Sequence, residues 1–420
     1  MAGHLHDDGR LGLHGHRRFD LRLVVACLLA GLVLTATSPA AAGKYDRFLQ
    51  TLNANERSQF EAYWTARTFH NAALDAYWGR VVSLRKSRRA RLRKRQLITQ
   101  RNYVTTFPPV YRGPKVGKSL WRRWKNFERR AAKPRRQLPN INDFLSAARR
   151  HYGFRPERVS ERTFKMRYAA EALRLGLTKS QVIRVYALET GGIGTADMVA
   201  GIHPIRKTGR PISSALGYAQ LLSANTLNML QKHGRRFISR LQGLRAEAAS
   251  EGRRARLDEK IASLRKMVAH VNRLPRKWSY LQKHARTGKG RGVHAVNVDG
   301  DIGPWIQVQK LRDTKRYADR AGRERLTPEQ LELMNLAGPA TGLEMMTALG
   351  SQMPTTNFFS RRGYGRNTIV RGKSASGLLR ALGKRMDVNQ RNRGAREFGD
   401  VFDALIGRRL RQASTGQRDG

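Results

Sequence analysis

Glu189 is an acidic residue in a helical pattern at a position where a buried apolar side chain would be expected. It follows Val182, Val185 and Tyr186 at the spacing of a single helical face. Burial and the negative end of the helix dipole both raise the pKa of a carboxyl group. A carboxyl that keeps its proton near neutral pH can act as a general acid. The alternative is an ordinary glutamate at a frayed helix end, so this residue alone does not decide a function.

Capping signals set the bounds of the helix that carries Glu189. Thr178 and Gln181 have the spacing of a capping box, and Gly191 is typical of a helix C-terminus. The pattern therefore predicts a helix over residues 178–189. No strand-like alternation competes with the helical pattern over comparable lengths. Further helices are predicted over residues 144–152, 164–175 and 214–230, and after the caps Thr327 and Ser374.

Two further motifs follow the Glu189-Thr190 pair along the chain. They are Gly217-Tyr218-Ala219-Gln220 and Met334-Asn335-Leu336-Ala337-Gly338-Pro339. In kind and in order, the three resemble the Glu-Ser, Gly-Leu-Met-Gln and Ala-Tyr-Asn-Ala-Gly-Pro motifs of the soluble lytic transglycosylases. The resemblance covers roughly residues 178–340. It implies the helical, goose-type lysozyme fold of that family.

The motifs also depart from the family pattern. Thr190 replaces the usual serine and keeps a hydroxyl, whereas Tyr218 and Ala219 replace Leu-Met. Asn335 stands where a tyrosine normally supports the catalytic carboxyl, and Leu336 stands where the family has asparagine. A catalytically silent protein that binds peptidoglycan is therefore a second possibility beside an active enzyme.

The resemblance implies a reaction that needs one carboxyl group. Glu189 would protonate the glycosidic oxygen between N-acetylmuramic acid and N-acetylglucosamine, and would then accept the proton of the muramyl 6-hydroxyl. Attack by that hydroxyl would leave a 1,6-anhydromuramyl end, without a cofactor or a metal. By the same resemblance, the peptidoglycan strand would be bound by Thr190, Gly217, Tyr218, Gln220 and Asn335.

A hydrolytic glycosidase would need a second carboxyl group as base or nucleophile. Near Glu189 only Asp197 stands at a suggestive position, in a loop over residues 191–212 that is rich in glycine and proline. Reducing-end products would therefore direct attention to Asp197.

A possible metal site lies further along the chain, where Asn297, Asp299 and Asp301 alternate as calcium ligands do. Ile302 and Val308 replace the glycine and the glutamate that a calcium loop requires. We therefore predict a turn at this segment and no metal.

The N-terminus has the features of a secretory signal peptide. Arg18 and Arg22 precede an apolar run over residues 23–34, and small residues up to Ala42 form a cleavage site. An uncleaved signal anchor is the alternative, although the run is short for a membrane span. Cleavage would remove the single cysteine, Cys27, and the pattern predicts export to the periplasm.

Charge is the outlying feature of the composition. The chain has 82 Lys and Arg against 31 Asp and Glu, a formal net charge of +51. Such a surface attracts polyanions, and residues 84–96 concentrate the positive charge. In an exported protein the available polyanions belong to the cell envelope, so we expect this segment to bind an anionic envelope surface. Nucleic acid is disfavoured as a partner, and a polyanion-binding envelope protein is a third possible function.

Together these signals predict a mainly α-helical protein. A lysozyme-like domain would occupy residues 138–410, with a charged helical insert at residues 233–290. The remaining segments are a signal peptide (1–42), an aromatic-rich helical segment (43–82), a basic linker (83–137) and a disordered tail (411–420). The two segments after the signal peptide would form a basic N-terminal extension.

Overall fold

The computed structural model of the chain describes residues 43–130 and 137–416, with side chains through residue 412. These residues are mainly helical, as the sequence predicts, and they contain isolated β-bridges but no β-strand. Within this part of the chain, no helix combines the length and the apolar character needed to cross a membrane. The predicted signal peptide and the last four residues of the predicted tail lie outside the described residues.

The described chain divides into two compact units. The first comprises residues 43–67 and 112–130, with helix α1 (Lys44–Leu49), the start of helix α2 (Ala54–Arg93) and helix α3 (Lys118–Arg130). An aromatic cluster forms its core, in which Phe48 and Phe60 lie 4.9 Å apart between ring centroids. Such edge-to-face contacts stabilise a core beyond simple area burial.

The second unit comprises residues 68–111 and 137–416, and it contains every residue of the candidate site. Three separate clusters of buried apolar side chains make up most of its core. After the end of α2, its helices are α4 (Ile141–Tyr152), α5 (Glu161–Arg174), α6 (Lys179–Thr190), α7 (Ser223–Ala246), α8 (Glu251–Asn272), α9 (Trp278–His284), α10 (Gly288–His294), α11 (Ile302–Asp319), α12 (Pro328–Ala337), α13 (Pro339–Met345), α14 (Ala348–Gln352), α15 (Arg361–Arg366), α16 (Ala375–Asn389) and α17 (Arg393–Gly416).

The predicted bounds of α6 are confirmed by its caps. The Thr178 hydroxyl accepts a hydrogen bond from the Gln181 amide, and the Gln181 side chain accepts one from the Thr178 amide, both at 3.1 Å. Gly191 ends the helix in the left-handed region, with φ 68°. The predicted caps Thr327 and Ser374 likewise begin α12 and α16.

The helix predicted over residues 214–230 begins later than expected, at Ser223. The preceding residues form a turn in which the backbones of Leu216 and Leu221 exchange hydrogen bonds of 3.0 and 3.1 Å. From Ser223 the helix continues to Ala246 and packs against α8 as a helical hairpin. Side chains of this hairpin belong to the same core cluster as those of α4 and α11, so the predicted insert is part of the domain core.

The predicted boundary between the aromatic segment and the basic linker falls inside α2, which runs without interruption to Arg93. Helix α3 lies within the predicted linker as well. At the other end of the chain, α17 extends to Gly416 and includes the first six residues of the predicted tail. The basic run is therefore a helix for most of its length.

Candidate functional site

Glu189 lies in the last turn of α6, where its side chain is partly buried. Val182, Val185 and Tyr186 on the same face are buried, as the helical pattern predicts. Burial raises the pKa of the Glu189 carboxyl to about 7. A hydrogen bond from Glu332 and the positive charge of Lys310 act in the opposite direction and limit the rise.

A second carboxyl group, that of Glu332 on α12, forms a pair with Glu189. The Glu332 side chain is almost inaccessible, with 1% exposure. Burial, and next the charge of Glu189, raise its pKa well above the ordinary value. Two carboxyl groups in contact, one of them buried, cannot both ionise at moderate cost, so a negative charge on one keeps the proton on the other. The interaction between the two carboxyl groups raises the pKa of Glu332 and lowers the pKa of Glu189.

Asn335 bridges the two carboxyl groups. Its side-chain nitrogen donates to Glu189 Oε1 at 3.4 Å and to Glu332 Oε2 at 3.3 Å. The side-chain oxygen of Asn335 accepts a hydrogen bond from Lys310 Nζ at 3.2 Å. Burial lowers the pKa of Lys310, and the charge of Glu332 partly offsets this effect. Helices α6, α11 and α12 thus position one connected set of polar groups.

These groups lie beside an open cleft of about 830 Å³, which we call the Asn335 cleft. Asn335 and Lys310 both line it, together with residues of α7 and the segment around Trp278. The Gly338-Pro339 end of the third sequence motif lines the cleft too. A ligand in the cleft would therefore meet the amide that holds the carboxyl pair.

The Gly217-to-Gln220 motif forms a tight turn outside this cleft's lining. Gly217 is buried at φ 78°, and a Cβ there would lie 2.6 Å from Gln307 Nε2. Gln220, also at positive φ, donates from its side chain to the carbonyls of Gly217 at 2.8 Å and Met198 at 3.1 Å. At position 217 both the positive φ and the close approach of Gln307 therefore require glycine.

Three of the residues predicted to bind glycan, Thr190, Gly217 and Tyr218, are buried, and their contact with a ligand stays a prediction. The Thr190 hydroxyl donates to the Tyr186 carbonyl at 2.6 Å, one turn earlier in α6. Tyr218 has no exposed surface, and its hydroxyl donates to Glu161 Oε2 at 2.6 Å. Gly217 is buried against Gln307. Their role is to shape the core around α6, whereas Asn335 does line a cleft.

Asp197, the other acidic residue considered from the sequence, is engaged in ion pairs. Arg158 lies 3.0 Å away and Lys207 3.2 Å away, and the Thr195 hydroxyl donates to it at 2.6 Å. Burial raises its pKa, but these hydrogen bonds and charges outweigh burial and lower the pKa overall. Asp197 is therefore ionised near neutral pH, and two cations and a hydroxyl group occupy its carboxylate.

The proposed turn at residues 299–301 holds two buried carboxylates beside a buried ammonium. Lys260 Nζ lies 2.5 Å from Asp301 and 3.1 Å from Asp299. Asp299 also accepts hydrogen bonds from the backbone amides of Asp301 and Ile302, both at 3.0 Å. Protein cations and amides thus occupy carboxylate oxygens of Asp299 and Asp301, two of the three residues that the sequence pattern suggested as ligands.

Within the basic run, two arginines have structural roles. Arg88 is 1% exposed; it contacts Glu344 at 2.7 Å and donates to the carbonyls of Asn102 and Asn357. Arg85 donates to the carbonyls of Thr356, Asn357 and Phe359. The charges that remain exposed include Arg89, Arg93, Lys94 and Arg95.

Glu332 was not predicted from the sequence as a residue of the site. Its one sequence signal is its position three residues before Asn335 in a capped helix, which places the two side chains on one face. Comparison of the chain with models of known protein families, with curated proteins and with solved structures finds no match.

Proposed function

We propose that the protein is a peptidoglycan lytic transglycosylase, which cleaves the bond between N-acetylmuramic acid and N-acetylglucosamine and leaves 1,6-anhydromuramyl ends. One observation carries the proposal. Glu189 has a pKa raised to about 7 and is hydrogen-bonded to Asn335, which lines the cleft. A general acid works best when its pKa lies near the working pH. The motif resemblance supplies the substrate and the reaction class.

In the proposed reaction, protonated Glu189 gives its proton to the glycosidic oxygen as the bond to the muramyl anomeric carbon breaks. The substrate's own N-acetyl group stabilises the positive centre. The muramyl 6-hydroxyl then attacks the anomeric carbon, and ionised Glu189 accepts the hydroxyl proton. The acid is regenerated without water, cofactor or metal.

The carboxyl pair favours this single-acid reaction over hydrolysis. Inverting glycosidases separate their carboxyls by about 6.5–9.5 Å to admit a water, and retaining enzymes by about 5–5.5 Å. Glu332 instead is 1% exposed, so its carboxyl is not accessible to a sugar or to bulk water as a base or nucleophile must be. Its contribution is to hold a proton beside Glu189.

The proposal includes export to the periplasm, where peptidoglycan lies, and contact of the exposed cations of residues 84–96 with an anionic envelope surface. The support is the signal-like N-terminal sequence and the formal net charge of +51. Arg88 takes no part in this contact because it is buried.

A catalytically silent peptidoglycan-binding protein is the second candidate. It is favoured by the 3.4 Å contact between Asn335 and Glu189, which is long for a hydrogen bond that must orient a catalytic carboxyl. Such a protein would keep the cleft and lose the reaction.

Product analysis in heavy-oxygen water separates these functions. Purified sacculi are incubated with the mature protein, and the released fragments are identified by mass spectrometry. The proposal expects anhydro ends without heavy oxygen, because no water enters the product. Reducing ends that carry heavy oxygen would identify a hydrolase, and binding without release would identify the silent protein.

A further inference from the structure

The Asn335 cleft carries a strong excess of positive charge. Among its lining residues the one carboxylate is Asp313, which is hydrogen-bonded to His233 and Gln309 at 2.8 Å each. The oxygens of Asp313 are thus already engaged by two neighbouring side chains. The cationic side chains of the lining are Lys232, Arg276, Lys310, Arg316 and Arg320.

A second cleft of about 510 Å³ adjoins the first, and Leu222 lines both. No acidic residue belongs to its lining, whereas four arginines do: Arg286, Arg291, Arg362 and Arg366. Arg291 Nε is buried and has no hydrogen-bond partner within the described part of the chain. We call the two clefts together the cationic groove.

Most cations of the cationic groove have no acidic partner. Lys310 contacts Asn335, and the other eight make no ion pair with the described residues. Unpaired cations that line two neighbouring clefts focus a positive potential and attract an anionic ligand. The ligand must therefore present several negative charges along its length.

Two exposed aromatic side chains accompany these charges in the Asn335 cleft. Trp278 is 44% exposed and Tyr317 is 38% exposed, and Arg320 lies 6.0 Å from the centroid of the Tyr317 ring. Exposed aromatic rings offer a flat apolar surface to a sugar ring. The neighbouring cationic side chains can then reach charged substituents of the same sugar. This mixture suits a neutral backbone with anionic side groups better than a backbone charged at every unit.

We propose that the cationic groove binds a glycan strand through free carboxylates on its peptide substituents, so that strands with uncrosslinked, unamidated stem peptides are preferred. The identification of the ligand as a glycan rests on the proposed function. The preference for carboxylates rests on the groove itself.

Binding by the full-length Glu189→Gln protein tests the preference, since this variant should leave the strand intact. The probes are glycan strands released from sacculi, and the same strands after their carboxyls have been coupled to methylamine. We expect neutralisation to weaken binding by about tenfold or more, equivalent to one or two charge-assisted contacts. Replacing Lys232, Arg276 and Arg316 with glutamine should weaken binding to the untreated strands and leave binding to the neutralised strands unchanged.

A matched control replaces Arg380, Lys384 and Arg385, which are exposed cations of α16 outside both clefts, with glutamine. Equal binding of untreated and neutralised strands would overturn the inference, as would an equal loss in the control variant. A DNA duplex that binds more tightly than the untreated strands and depends on the same three cations would also overturn it. Release of anhydro products is measured separately, so a failed reaction and a failed preference are distinguishable.

Discussion

The side-chain nitrogen of Asn335 lies 3.4 Å from Glu189 Oε1, although 146 residues separate the two in sequence. The same nitrogen lies 3.3 Å from Glu332 Oε2. Asn335 therefore joins a partly exposed carboxyl to a buried one and also lines the cleft. In the lytic transglycosylases that the motifs resemble, a tyrosine hydroxyl stands at this place, whereas this chain has an amide and a second acid.

Lys310 should set the upper pH limit of activity. Its charge lowers the pKa of Glu189, so Lys310→Met should raise that pKa and keep the acid protonated at higher pH. We expect the alkaline limb of kcat/KM for a soluble glycan to move to higher pH. Lys384→Met, an exposed substitution on α16, is the control. An alkaline limb that stayed in place or moved to lower pH would show that the charge of Lys310 does not lower the pKa of Glu189.

Glu332→Gln should stabilise the fold at neutral and alkaline pH. The folded protein holds the Glu332 proton well above the ordinary pKa of 4.5, whereas the unfolded chain releases it near that value. The folded state of the wild type therefore loses stability as pH rises above 4.5, and glutamine has no proton to lose. Each unit of pKa shift corresponds to about 1.4 kcal/mol.

The measurement for Glu332→Gln is denaturant unfolding of both proteins across this pH range. The advantage of the variant should grow with pH and disappear in acid, where both side chains are neutral. If Glu332→Gln were less stable than the wild type by the same amount at pH 8 and at pH 4, Glu332 would not be held protonated in the folded protein.

Arg88 should be a stability residue despite its place in a basic run. Replacing it with methionine removes a buried partner of Glu344 and three other contacts, and should lower the free energy of unfolding by roughly 3 kcal/mol or more. Arg89→Met, one residue further and exposed, should change stability little. Thermal unfolding of the two variants gives the comparison. Equal midpoints would contradict the assigned role of Arg88.

The exposed cations of the run should instead determine binding to anionic surfaces. Replacing Arg89, Arg93 and Lys94 with glutamine should weaken sedimentation with anionic lipid vesicles, and the wild-type affinity should fall as salt rises. Exposed charges are screened over about 10 Å at roughly 0.1 M salt. Cleavage of soluble glycans should be unchanged. If the substituted protein bound vesicles at low salt as well as the wild type, these cations would be solvated surface charges without a role in binding.

Local signals in the sequence predicted the local features of the site. The capping box of Thr178 and Gln181 and the glycine at 191 fix the end of α6, and with it the position of Glu189. These interactions lie within a few residues of one another, so spacing alone reveals them.

Features that depend on distant residues were not predictable in the same way. The pairing of Glu189 with Glu332 requires α6 to pack against α12, and no local pattern encodes that contact. Helix α7 starts late because a turn precedes it, and the Gln307 side chain stabilises that turn. Gln307 Oε1 accepts a hydrogen bond from the Ala219 backbone amide at 2.9 Å. In the sequence Arg88 cannot be distinguished from its charged neighbours, because its partner Glu344 is distant along the chain.

We propose that Glu189 supplies the proton for glycan cleavage. The most direct test is mass spectrometry of fragments released from sacculi by the wild type, by Glu189→Gln and by Glu247→Gln, an exposed substitution that serves as the control. We expect anhydromuropeptides from the wild type and the control. For Glu189→Gln we expect a loss of about 100-fold or more, the range for removal of a general acid. Release of anhydromuropeptides by Glu189→Gln at the wild-type rate, from a protein with an unchanged helical spectrum, would contradict the proposed role of Glu189.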